Sequence, residues 1–184
     1  MNYNQHLDLF GKHSFLSGSN YAWVNYSEEK VAAVWTNQQA KTEGTVLHDI
    51  ASNLIVRRIK VAPLKKAFNM FVNDAIGFGM ESEQILYYSD NCFGTADAIL
   101  FKNNKLQIHD LKTGIHKASF NQLDIYTAMF CLEYGEDPLK IEVIHRIYQG
   151  KGYIERSPDP EQVAHIMQKI VVFDKIIDDL KYNQ

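Results

Sequence analysis

The chain has 184 residues, of which 46% are hydrophobic, 12% aromatic and 22% charged; this balance excludes disordered, collagen-like and low-complexity proteins and predicts a single domain around one core. A net charge of -3 and a pI near 6.1 exclude a globally basic nucleic-acid binder, so any contact with a polyanion must come from a local cluster. The apolar runs are too short to span a membrane, the opening MNYNQHLDLFGK is too polar for a signal-peptide core, and Cys92 and Cys131 are too few for a disulfide framework or a four-cysteine cluster, which together predict a soluble intracellular protein with reduced thiols.

In chain order, Ser17-Gly18-Ser19 predicts a turn and cap before a short aromatic segment holding Tyr21, Ala22, Trp23 and Tyr26, and a helix follows over 30–39. After the acidic Glu43, residues Val46, Leu47, Ile50, Ala51, Leu54, Ile55 and Ile59 recur at helical spacing and predict a separate helix. Arg57, Arg58, Lys60, Lys65 and Lys66 then form a basic run free of acidic residues, either a solvated helix end or a stripe that tracks phosphates. A further helix is expected from Leu64 to about Gly77, with Gly77 or Gly79 as its stop.

The periodicity then changes from helical to alternating. Residues 85–88, 94–102 and 105–111 predict three strands, 120–133 a helix, 141–148 and 153–156 two more strands, and 161–182 a closing amphipathic helix. That order implies an α/β or α+β fold with a central mixed sheet flanked by helices.

Asn103-Asn104 separates two of the strand-like runs, and asparagine tolerates the positive φ that a two-residue hairpin turn requires. With those two residues as the loop, Lys102 faces Lys105 and Asp97 comes directly opposite Asp110. Alternation then puts Asp97, Asp110 and Lys112 on the apolar face with Ile99, Phe101, Leu106 and Ile108. Opposed carboxylates repel unless something neutralises them, and a hard divalent cation, magnesium or manganese, is the natural answer. The alternative is that both side chains reach solvent, with Lys112 as an ordinary salt-bridge partner.

The residues Gly94-Thr95-Ala96-Asp97, then Asp110-Leu111-Lys112-Thr113-Gly114, then Gln122 and Tyr126 on the next helix, follow an upstream Gly44-x-x-x-His48. In this order they resemble the PD-(D/E)XK nucleases of the RecB branch, and Ser14-Phe15-Leu16-Ser17 with Trp23 is similar to the N-terminal segment of related phage proteins. The resemblance covers about residues 13–130. It implies a restriction-endonuclease-like αβββαβ core and a metal-dependent deoxyribonuclease. Asp97 and Asp110 would be the metal carboxylates, His48 and the Leu111 carbonyl further ligands, and Lys112 the group that orients the attacking water. Gln122 and Tyr126, one helical turn apart, would shape the DNA path, the alternative being that they form a buried hydrogen bond, and Arg57, Arg58 and Lys60 at the end of the His48 helix would guide the strand.

The resemblance further implies exonucleolytic work in phage-type recombination or end processing, in the cytoplasm of a bacterial or phage-infected cell. DNA is then the partner, without a membrane, and a homo-oligomer or a recombination protein is a further partner. A structure-specific endonuclease with the same site, or a non-catalytic nucleic-acid-binding protein on the same fold, are the alternatives. Ser52 stands where many relatives carry an acid, and an iron-sulfur cluster is not expected. Glu81 or Glu83 is an additional carboxylate that no spacing fixes, and of His109 and His116, which flank the D-x-K strand, His109 falls on the other face and is expected to be structural.

Overall fold

The computed structural model describes residues 14–16, 21–114 and 118–182. The predicted turn at Ser17-Gly18-Ser19 and the residue His116 lie outside these. The chain divides into two compact units, 1–43 and 44–184. In the first, Tyr21–Asn25 forms a 3₁₀ turn and the helix α1 (Glu28–Val56) begins. Ser27 Oγ accepts the Lys30 N–H at 3.2 Å, the bond of a helix N-cap, and the rings of Phe15 and Trp35 meet edge to face with centroids 5.2 Å apart.

The second unit is an α+β layer structure. The rest of α1 is followed by α2 (Ala67–Phe78), β1 (Glu81–Ser89), β2 (Cys92–Lys102), β3 (Lys105–Lys112), α3 (Asn121–Tyr134), β4 (Glu142–Gln149), β5 (Gly152–Arg156) and α4 (Pro160–Tyr182). The five strands form one mixed sheet in the order β1-β2-β3-β4-β5. Every neighbouring pair is antiparallel except β3 and β4, which run parallel and are joined by α3, the crossover that parallel pairing demands. Both sheet faces are covered. Leu106, Ile108 and Ile147 pack with Leu123, Phe130 and Met167 from α3 and α4, while Leu111, Ala98 and Tyr148 pack with Ala51, Ile55, Phe71 and Val72 from α1 and α2.

Local chemistry accounts for the boundaries. Gly79 ends α2 with φ 77° and Gly135 ends α3 with φ 71°, the left-handed conformation that glycine adopts without a Cβ penalty. Asn103 and Asn104 have φ 53° and 61°, the two positive values of the expected hairpin turn, and Lys102 pairs with Lys105. Pro160 opens α4, and Asp159 Oδ1 accepts the Glu161 N–H at 3.0 Å.

Four expectations need correction. The two helices predicted on either side of Glu43 are one helix, α1, because an interior glycine costs a helix only about 1 kcal/mol. That cost is offset at Gly44 by close packing, since a Cβ there would lie 2.9 Å from Thr113 Oγ1. Strand β1 begins four residues earlier than expected, at Glu81. The β2–β3 ladder ends at the pair Ala98 and His109, one step short of the expected Asp97–Asp110 pair. Finally, alternation breaks at Asp97, for Ala96 belongs to the α3-side core while Ala98 belongs to the α1-side core, so no single apolar face carries the site.

Candidate metal centre

The break in alternation at Asp97 builds the centre. Opposite it in the β1–β2 pairing, between the pairs Ser82↔Ala98 and Gln84↔Ala96, stands Glu83 with φ 53°, a backbone conformation few non-glycine residues adopt. The twist turns both carboxylates out of the ladder toward α1. There His48 Nδ1 lies 3.3 Å from Asp97 Oδ2. The ligand atoms of His48, Glu83 and Asp97 all fall within 4.8 Å of one another. Glu83 had no motif to announce it; its signal was a carboxylate facing Asp97 across the hairpin, invisible until the extent of β1 was known.

Asp97 Oδ2 also accepts the backbone N–H of Leu111 at 2.8 Å, which ties the Leu111 backbone to the centre. Asp110 is buried, with one oxygen, Oδ1, held by Lys112 Nζ at 3.0 Å. Its other oxygen, Oδ2, is buried and has no hydrogen-bond partner among the described residues. Lys112 Nζ donates in addition to Gln122 Oε1 at 2.8 Å, and Gln122 Nε2 to the Tyr126 hydroxyl at 2.9 Å. The two residues predicted on one face of α3 thus form a relay that fixes the lysine. Gly94 makes room for it, since a Cβ there would sit 2.9 Å from Tyr126 Cε1. Arg57, Arg58 and Lys60 follow the end of α1 and are exposed. Arg58 takes φ 57° and its guanidinium reaches the Met80 carbonyl at 3.4 Å, so the run is a helix exit, with Arg57 nine positions, ~13 Å of helix rise, beyond His48.

The electrostatics describe a negative cleft short of cations. Burial, then the Asp97 charge, push the Asp110 carboxyl well above the usual carboxylate range, against the opposing pull of Lys112. Burial and Asp97 likewise raise Glu83. The hydrogen bond to Asp97 raises His48, outweighing its partial burial. A buried oxygen without a donor, two raised carboxylates and one imidazole fit a hard divalent cation with one nitrogen ligand, and magnesium or manganese match that donor set.

His109 and His145 are buried away from this cleft. His109 meets Phe78 and Tyr148 at ring-centroid distances of 5.6 Å. His145 Nε2 lies 2.7 Å from Thr127 Oγ1, whose proton goes to the Leu123 carbonyl, so His145 is the donor to the hydroxyl.

No family model matches the chain, and no curated protein or solved structure was found similar to it. Among the described residues no helix is long and apolar enough to cross a membrane.

Proposed function

We propose that the protein is a metal-dependent deoxyribonuclease of the RecB-like kind, an exonuclease acting at DNA ends in phage-type recombination or end processing, and cytoplasmic. The observation that carries this reading is the buried Asp110 carboxylate, one oxygen on Lys112 and the other without a partner, beside the His48, Glu83 and Asp97 cluster. Those four side chains, with the Leu111 carbonyl, would hold the ion. A bound magnesium or manganese supplies Lewis-acid polarisation of the phosphoryl oxygen and a lowered pKa for water.

The protein's own residues do the rest. Lys112, pinned between Asp110 and Gln122, presents a fixed positive charge where negative charge grows on the phosphorane-like transition state, and preorganisation of this type lowers the barrier without reorganisation cost. Tyr126 and Gln122 keep that ammonium from swinging into solvent. Arg57, Arg58 and Lys60 supply phosphate contacts beyond the cleft.

The test is incubation of purified protein with end-labelled linear DNA and with closed circular DNA, in manganese, magnesium or chelator. Metal-dependent loss of label from the linear substrate with the circle intact is the expected result. Cleavage of the circle would make the protein an endonuclease, and no cleavage of either in any metal removes the nuclease reading.

A further inference from the structure

The β1–β2 pairing carries a second row of side chains outward from the metal centre. Ile85 stands opposite Thr95, and Tyr87 opposite Phe93, so the row begins two residues beyond Glu83 and Asp97. Intervening residues Leu86 and Ala96 are fully buried on the α3 side, and alternation sends Ile85, Tyr87 and Phe93 to the other face. They are 56%, 46% and 62% exposed. Tyr87 is held in place, its hydroxyl donating to Asp90 Oδ1 at 2.8 Å and its backbone N–H to Glu133 Oε2 at 2.8 Å.

We propose that Tyr87 and Phe93 form a stacking platform for unpaired bases, so that the strand reaching the metal centre is single-stranded. The proposal rests on the nuclease reading and names its substrate class. Aromatic rings bind bases through their π-faces, which every base offers but which pairing into a duplex hides. The acidic Asp90 and Glu133 beside the platform repel phosphates, which turns the bases of a bound strand toward the rings and its backbone away. Phosphate charge is met instead at the far end of the row, by the Lys112 ammonium. Phe93 lies four residues along β2 from Asp97, ~13 Å at 3.3 Å per residue, a span of a few nucleotides.

Fluorescence anisotropy of labelled oligothymidine and of a blunt duplex of equal length, with the full chain in chelator, tests the platform without cleavage. Phe93→Leu should weaken oligothymidine binding about tenfold, Phe93→Trp should keep it, and duplex affinity should be the same in all three proteins. Unchanged single-strand affinity in Phe93→Leu, equal loss on the duplex, or failure of tryptophan to substitute would overturn the proposal, as would a parent that does not bind the oligonucleotide. Cleavage assayed separately in manganese distinguishes the two readings. Aromatic-dependent binding without any cleavage removes the nuclease and keeps the platform, whereas cleavage with Phe93→Leu binding like the parent does the reverse.

Discussion

Asp97 accepts the Leu111 N–H on Oδ2 at 2.8 Å, at the point where the β2–β3 ladder stops. The carboxylate stands in for the next backbone bond, which gives it a structural duty that Asp110, with its partnerless Oδ2, does not share.

The two carboxylates should therefore respond differently to truncation. Asp97→Ala leaves a buried amide unpaired and should cost about 1–3 kcal/mol, while Asp97→Asn keeps the acceptor and most of the stability. Asp110→Ala should fold as stably as the parent, since it relieves repulsion. All three should lose metal-dependent cleavage. Urea melts with parallel cleavage assays check this, and an Asp110→Ala protein cleaving at the parent's rate would displace the site.

Lys112→Ala should lower turnover by roughly 10²-fold, the scale of one preorganised electrostatic group, with manganese affinity largely kept. Calorimetric titration showing lost binding would assign the lysine to the ion's cage instead.

His48→Ala should weaken manganese binding, because imidazole is a donor that suits manganese better than magnesium. Its raised proton affinity, caused by Asp97, sets the pH trend. A proton competes with the ion for the ring, so the parent's manganese affinity should fall as pH is lowered, and more steeply than in His48→Ala.

Gly94→Ala should place its methyl against the Tyr126 ring and cost ~1–3 kcal/mol by overpacking. Combining it with Tyr126→Ala should recover most of that loss, a coupling that a double-mutant cycle in urea reads directly. Additive losses would mean that the glycine serves the strand and not the tyrosine.

These positions differ in how far the sequence exposes them. The Asn103-Asn104 turn, the order of elements and the Gln122–Tyr126 pairing follow from turn chemistry and helical spacing alone, and the structure has each. Glu83 and the break in alternation at Asp97 do not, because period-two reasoning assumes an unbroken pleat, which the positive φ at Glu83 and the change of face between Ala96 and Ala98 violate. The fusion of two helices into α1 was hidden for a related reason. The acidic Glu43 reads as the start of a new helix when only local signals are weighed, and the close approach of Gly44 to Thr113 is a tertiary fact.

Stability should carry a mark of His145. Burial holds its imidazole neutral, with the pKa lowered to about 3. Asp124 Oδ1 lies 3.5 Å from Nδ1, but that carboxylate is already engaged by Arg156 at 2.5 Å, so desolvation prevails. The folded pKa is below the unfolded value near 6.5, so this contribution is complete above about pH 6.5 and declines as pH falls toward 3. Between pH 7 and pH 5 the stability difference between parent and His145→Gln should shrink by about 2 kcal/mol, as urea melts at the two values will show.

β3 is hydrogen-bonded on both sides, whereas β1 is an edge strand of the sheet. Amide exchange follows such differences, with central strands opening last and peripheral elements opening in smaller, cheaper units. Asp110 and Lys112 therefore ride on the slowest-exchanging part of the protein, and Glu83 and His48 on an edge strand and a helix that can open separately. An ion gripped by all of them would tie these units together, so manganese should slow exchange along Glu81–Gln84 and around His48 to the pace of β3 while leaving β5 as it was.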